Sequence, residues 1–482
     1  MTALSTDYPA PRLFIDGEWI GADARESEPV FNPATAQEIG RVPHATEADL
    51  TRAVEAAARG FRVWSRMSAA ERGAILMKAQ ALLRARASEI ARIATIENGK
   101  NHREAEAEVS RGSGNIGWCV EEAKRSYGRV IPSADNIALS TIRQPIGPVA
   151  AFVPWNFPSG GVLRKLSPGL AAGCSFVIKC SEETPATACA LVSCFQEAGV
   201  PDGVINLVFG NPPMISEHLI AAPQIRMVAF TGSVPVGKLI ASLAGKVMKP
   251  CIMELGGHAP VIVCADADPV EAAKRSAFAK FVNSGQVCTS PTRFFVHDSN
   301  HDAFVDQFVA VAQSLKIGNG LEDDVRMGPL ANPRRLEAME RLIADAIEKG
   351  AKLVTGGRRM GNTGWFFEPT VLTDVPLEAT IMQEEPFGPV ALVRRFSDLD
   401  VALDEANGTP YGLAAYAFTN DAATAHRIAH DYEAGILSIN HTGGSTHEAP
   451  SGGVKESGYG REGGQEGFEA YQIIKRLSHR LD

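Results

Sequence analysis

From Val149 onward, short unbroken apolar runs alternate with longer amphipathic stretches, and this alternation constrains the fold more than any other feature of the chain. The runs VAAFV (149–153), SFVIK (175–179), VINLV (204–208) and MVAF (227–230) have the length of strands. A strand that is apolar on both faces must be covered on both faces, which implies a parallel sheet flanked by helices. Helix-like segments such as ATACALVSCFQEA lie between the runs and supply that cover. A second series begins at PVIVC (260–264) and FFVH (294–297). It passes through the helical DAFVDQFVAVAQSL to VALVRRF (390–396) and LAAYAFT (413–419). The expectation is two α/β units joined near residue 256.

The first third of the chain reads differently. In LFIDGEWI, Asp16-Gly17 separates two apolar stretches, a hairpin signal. Thr46 with Asp49 and Ser68 with Glu71 have the spacing of helix-starting capping boxes. The second helix is expected to run through ILMKAQALLRARASEIARIATIE and to close at Gly99. The segment VIPSADNIALSTIRQPIG (130–147) alternates in β fashion between turn residues and reads as a hairpin outside both cores. The end of the chain, from Ser457, is rich in Gly and Glu before an apolar, strand-like close.

Composition excludes several function classes. Hydrophobic residues make up 45% and charged residues 21%, as in ordinary globular proteins. The net charge is −9 and no basic run tracks a phosphate backbone, so nucleic acid is not an expected partner. No apolar run has the length of a membrane span and the start does not read as a signal peptide, so a cytoplasmic protein is expected. The 8 cysteines form no C-x-x-C pair and have no adjoining His cluster, which argues against zinc. Most read as reduced, buried thiols.

Four segments carry candidate chemistry. Cys288 in FVNSGQVCTSPTR sits among small and polar residues on a loop entering a strand, where a thiolate is reachable. Glu254, followed by Leu255 and the pair Gly256-Gly257, is a carboxylate at a strand end with room for close approach. Asn156 in PWNFP follows a strand directly and has an amide to offer an oxyanion. Gly232 and Ser233 in FTGSVPVGK join a strand to a helix whose N-terminus suits a pyrophosphate, although their spacing is not a G-x-G-x-x-G fingerprint. The first three also have an ordinary reading: an idle thiol, an exposed turn glutamate, an Asn bonding locally in a turn.

Taken together and in order, these segments resemble the aldehyde dehydrogenase superfamily. The resemblance runs from FIDGEW and FNPATAQEIG through PWNFP, KCSEETP, FTGSVPVGK, MELGGHAPVIV, GQVCTSPTR and EEPFGPV to GGVKESGYGREGG. It implies two open parallel-sheet α/β domains, a Rossmann-type cofactor domain (1–124 and 146–256) and a catalytic domain (257–456). A β-hairpin oligomerisation element (125–145 and 457–482) completes it, with assembly as a homodimer or homotetramer. It further implies that Cys288 is the nucleophile, Asn156 the oxyanion donor together with the Cys288 backbone N–H, and Glu254 the general base. NAD is the implied cofactor: Gly232 and Ser233 on the pyrophosphate, Lys179 and Glu182 on the adenosine ribose, Glu385 on the nicotinamide ribose, Trp155 along the cleft. A carboxylate at Glu182 repels a 2′-phosphate and favours NAD over NADP. No metal is implied.

Arg164 and Ser445 match positions that bind the distal carboxylate in the succinate-semialdehyde branch, so the expected substrate is a carboxylate-bearing semialdehyde such as succinate semialdehyde. The alternatives are a broad aliphatic or aromatic aldehyde, a CoA-acylating enzyme, or a noncatalytic binding protein on the same fold. Four positions depart from the pattern. Cys180 replaces a proline, Val282 an arginine of that branch, Ser451 a phenylalanine of the substrate tunnel, and Ser290 the second cysteine of redox-regulated members.

Overall fold

The apolar runs become the central strands of two sheets. The computed structural model describes residues 8–443 and 446–481. The first sheet has eight strands in the order Gly458–Tyr459, Cys251–Glu254, Met227–Thr231, Pro148–Val153, Ser175–Cys180, Ile205–Val208, Leu13–Ile15, Glu18–Ile20. Its centre, from Cys251–Glu254 to Ile205–Val208, is parallel. The second sheet has seven strands in the order Lys352–Thr355, Thr370–Thr373, Val390–Phe396, Pro291–His297, Ala259–Val263, Ala414–Phe418, Ile436–Ile439. All its pairings are parallel except that of the edge strand Lys352–Thr355.

The expected parallel arrangement forms the centre of both sheets, and antiparallel strands close three edges. The Asp16-Gly17 hairpin and Gly458–Tyr459 add antiparallel strands to the first sheet. An antiparallel neighbour needs no crossover helix, so segments remote in sequence can close an edge. Both turn residues of the hairpin have positive φ, 54° at Asp16 and 83° at Gly17.

Both expected capping boxes are formed, at Thr46 and Ser68. The helix expected to run on to Gly99 is instead two, Ala69–Ala85 and Ala87–Asn98. Arg86 leaves helical geometry at φ −103°, ψ 12°, and its guanidinium is drawn to Glu197 at 2.6 Å. No Gly or Pro marks the break, so apolar periodicity passes through it. Gly99 does close the second helix, in left-handed conformation at φ 93°.

Two features place the site. Within the first sheet, successive strands run outward in both directions from the neighbours Pro148–Val153 and Met227–Thr231, the switch point where α/β sheets leave a crevice beyond the carboxyl ends. The chain then leaves this sheet at Glu254 and enters the second at Ala259. The carboxyl ends of the first sheet thus meet the amino ends of the second. The segment read as a separate hairpin, Arg129–Ile131 with Ile137–Pro145, pairs with Gln472–Arg480 in a three-stranded sheet of its own. Val130 is 90% and Ile474 61% exposed there. Among the described residues, no helix is long and apolar enough to cross a membrane.

Candidate active site

Cys288 lies on the loop between the helix Pro269–Phe281 and the strand Pro291–His297, half-buried. The loop is held in a conformation it would not adopt alone. Asn283, Ser284 and Gly285 all have positive φ, at 49°, 55° and 73°. Such backbone persists only where surroundings over-determine it. Here Asn283 N donates to Glu104 at 2.9 Å, Ser284 Oγ to the Gly328 carbonyl at 2.8 Å, and Ala331 N to the Gln286 side chain at 2.9 Å. A Cβ at Gly257 would stand 2.4 Å from the Cys288 carbonyl oxygen, so only glycine admits the Cys288 backbone there.

Asn156 reaches the same loop from the opposite sheet. Its side-chain amide donates to the Gln286 carbonyl at 3.1 Å. Its own carbonyl accepts from Asn283 Nδ2 and from Lys100 Nζ, each at 2.8 Å. Lys100 is in turn paired with the buried Glu108 at 2.5 Å. Glu108 also accepts from Ser159 N at 2.8 Å and Gly160 N at 2.7 Å, just beyond Asn156.

Burial pushes the Cys288 thiol well above its usual range, and the nearby Glu254 and Glu385 push it further while Arg164 opposes them. Glu254 is pushed up to about 7, first by burial and then by the negative charge of Glu462. Glu462 is held low by Lys165 and Arg164, which outweigh its burial. Arg164 Nε bonds Glu462 at 2.7 Å, and Lys165 bonds both Glu462 and, at 2.6 Å, Thr231 Oγ1. Glu254 is therefore the carboxyl of this pair that carries the proton at low pH and loses it near neutrality.

Cys288, Glu254, Asn156 and Arg164 line one cavity of about 390 Å³, walled also by Phe157, Val282, Tyr416, Ile436 and Ser451. Arg164 accordingly has both placements open to it from sequence: an ion pair and a cavity wall. Ser445 lies outside the described residues. Ser290, where a second cysteine was considered, accepts from Lys280 at 3.2 Å.

A larger cleft of about 1640 Å³ opens beyond the carboxyl ends of the first sheet. Trp155, Lys179 and Glu182 line it. Glu182 is tied to Lys179 at 2.7 Å and to Gly210 N at 2.9 Å. Gly232 and Ser233 lead into the helix Val234–Lys246, whose first N–H groups receive no side-chain cap and whose Val236 lines the cleft. Uncapped amides at a helix start beside an open cleft suit a pyrophosphate. Glu385 is not among the residues lining this cleft; it accepts from Gly257 N at 3.1 Å, and burial raises its carboxyl to about 7. The Trp155 ring meets Phe387 edge-on at 5.5 Å.

Sequence reasoning missed Lys100, Glu108, Lys165 and Glu462. Each is a charged residue that reads as solvated until packing buries it. The one sequence signal was the glycine-flanked GREGG, which admits the turn presenting Glu462.

A doubly built α/β fold with a thiol, a carboxyl and an amide lining one cavity, beside a second and larger cleft, is the arrangement of a dehydrogenase. The aldehyde dehydrogenase family model matches residues 19–477, and the chain belongs to that family. It is 44% identical to 4-(hydroxymethyl)benzenesulfonate dehydrogenase TsaD1 of Comamonas testosteroni over 98% of both chains. It is 43% identical to 3-sulfolactaldehyde dehydrogenase of Pseudomonas putida over 96% of both, and 41% to succinate semialdehyde dehydrogenase of Acinetobacter baylyi over 96% of both. The crystal structure of a Burkholderia pseudomallei succinate-semialdehyde dehydrogenase superposes with a TM-score of 0.96 at 41% identity, covering 98% of each chain. The protein is an aldehyde dehydrogenase, an oxidoreductase that uses NAD or NADP.

Proposed function

We propose that this chain oxidises an aldehyde bearing an acidic tail, with NAD as cofactor, through a thioester on Cys288. The observation that carries the reading is the convergence of Cys288, Glu254, Asn156 and Arg164 on one cavity wall. Cys288, once deprotonated, attacks the aldehyde carbon and forms a thiohemiacetal. Its raised pKa means a base must assist, and Glu254, losing its own proton near neutrality, fills that role. The Asn156 amide and the Cys288 backbone N–H hold the oxyanion; the bonds from Lys100 and Asn283 to the Asn156 carbonyl fix the amide in advance. Bound nicotinamide supplies the acceptor for the hydride that the adduct gives up as it becomes a thioester. Glu254 then draws a proton from water, and the hydroxide releases the acid.

Lys179, Glu182 and the start of the helix Val234–Lys246 are the residues that hold the dinucleotide's adenosine and pyrophosphate; Glu385 and Trp155 orient its other end. Glu28, raised in part by the charge of Glu182, adds a second carboxyl to the adenosine side of the cleft. Two acids there disfavour a 2′-phosphate and support NAD over NADP.

Arg164 supports an acid-tailed substrate, a carboxylate-bearing semialdehyde such as succinate semialdehyde. The relatives named for sulfonate and semialdehyde substrates support the same choice. A broad aliphatic or aromatic aldehyde is the second reading, favoured by the small Ser451 in the cavity wall. Glu254 argues against transfer to coenzyme A, because it serves water. The exposed apolar residues of the three-stranded sheet support assembly with further copies of the chain, as a homodimer or homotetramer. An aldehyde panel read by NADH absorbance, with NAD and NADP in parallel, tests the reading. Arg164→Leu is expected to raise KM for acid-tailed aldehydes far more than for uncharged ones; equal loss for both overturns the acid-tail assignment.

A further inference from the structure

We propose that Arg111, which lines the same cavity as Arg164, is a second anchor for the terminal oxyanion of the substrate. The inference rests on the acid-tail reading above and adds the residue that selects it. On the helix His102–Ala123, Glu108, Arg111, Gly112 and Asn115 follow one another at helical spacing, and all four line the Cys288 cavity. The acid of this face is already satisfied: Glu108 is buried and bonded to Lys100, Ser159 N and Gly160 N. Arg111 is exposed at the cavity edge and makes no ion pair or hydrogen bond with any described residue. A guanidinium left without a carboxylate on a cavity wall keeps its full capacity for a two-pronged bond to an incoming oxyanion.

Three further observations place it over the tail. Arg111, Arg164 and His447 all line this one cavity; burial foremost discourages His447 from taking a proton, Glu448 opposes it, and the charges of Arg164 and Arg111 add to it. His447 packs against the same helix, its ring 2.9 Å from where a Cβ of Gly114 would stand. The buried acid nearest that space, Glu462, is engaged by Arg164 and Lys165. Among the described residues, Arg111 is thus a lining cation of this cavity with no acid partner, in a chain whose net charge is −9. Gly112 and Ser451 leave it wide, and Val282 and Ile436 give it an apolar middle. That arrangement suits an aldehyde carrying a carboxylate or a sulfonate beyond an aliphatic or aromatic spacer.

The test compares Arg111→Leu, Arg111→Lys and Arg111→Glu with the parent on four aldehydes: succinate semialdehyde, 4-formylbenzenesulfonate, butanal and benzaldehyde. The readout is the ratio of kcat/KM for the acid-tailed aldehyde to that of its uncharged counterpart. Arg111→Leu is expected to lower the ratio roughly ten- to a hundred-fold, through KM, as for loss of a charged hydrogen bond. Arg111→Lys should retain part of it and Arg111→Glu should fall below Arg111→Leu. A larger fall for one acid pair identifies the oxyanion as carboxylate or sulfonate. If the parent prefers acid-tailed aldehydes and all three variants keep its ratio, the assignment of Arg111 is overturned while the acid-tail reading stands. If the parent prefers the uncharged aldehydes, both are overturned.

Discussion

Replacing Lys100 by Met would separate what holds the site together from what reacts in it. Lys100 is 2% exposed and does not itself line the cavity; it stands behind residues that do. Its Nζ bonds Glu108 at 2.5 Å and the Asn156 carbonyl at 2.8 Å, and lies 4.4 Å from the centre of the Phe157 ring. Methionine matches its length and fills the space without the charge. Glu108 would then keep two backbone donors but lose its counter-ion, and breaking a buried pair from one side costs about 3–5 kcal/mol. An unfolding transition lowered by on the order of 10 °C is expected. Asn156 would lose one of the two bonds to its carbonyl, and small misplacement of an oxyanion donor lowers kcat roughly 10- to 100-fold. Adding Glu108→Gln removes the stranded charge while leaving an oxygen for Ser159 N and Gly160 N. The double variant should regain most of the stability and little of the rate. Thermal denaturation followed by circular dichroism and steady-state kinetics measure the two effects. A Lys100→Met enzyme as stable and as fast as the parent would refute the reasoning.

Three other outcomes follow from the same geometry. Because Glu254 acts as its carboxylate and titrates near 7, thioester hydrolysis should rise with pH up to about 7 and then level; Glu254→Gln should lose that rise and turn over roughly 10²–10⁴-fold more slowly, as read from a pH–rate profile. Gly257→Ala places a methyl 2.4 Å from the Cys288 carbonyl and 3.0 Å from Leu413, so a folded protein by circular dichroism should show kcat reduced about 100-fold or more. Glu182→Gln should raise kcat/KM for NADP relative to NAD by roughly ten-fold, measured with both cofactors at one aldehyde concentration.

Strand positions were legible because two-sided burial writes itself as unbroken apolar runs: VALVRRF at 390–396 is a strand over those same residues. Helix starts were legible where a side chain must satisfy orphaned amides, as at Thr46 and Ser68. The break at Arg86 was not, because no Gly or Pro marks it and the residue's ion-pair partner, Glu197, lies 111 residues away. The candidate residues Cys288, Glu254 and Asn156 were legible as motifs, and the structure brings them to one cavity. The network behind them was not. Lys100, Lys165, Glu108 and Glu462 have the local patterning of surface charges, and only contacts between distant segments bury them. The left-handed pair Asn283-Ser284 was hidden for the same reason, since its strain is held by Glu104 and Gly328 from elsewhere in the chain.

The central claim is a transient acyl group on one sulfur, and peptide mass spectrometry of Glu254→Gln tests it most directly. Mixed with aldehyde and NAD and quenched in acid, that variant should accumulate the Cys288 peptide heavier by the aldehyde less two hydrogens, with NADH formed in equal amount. NADH formed with no adduct on Cys288, or the same turnover in Cys288→Ala, would contradict the account.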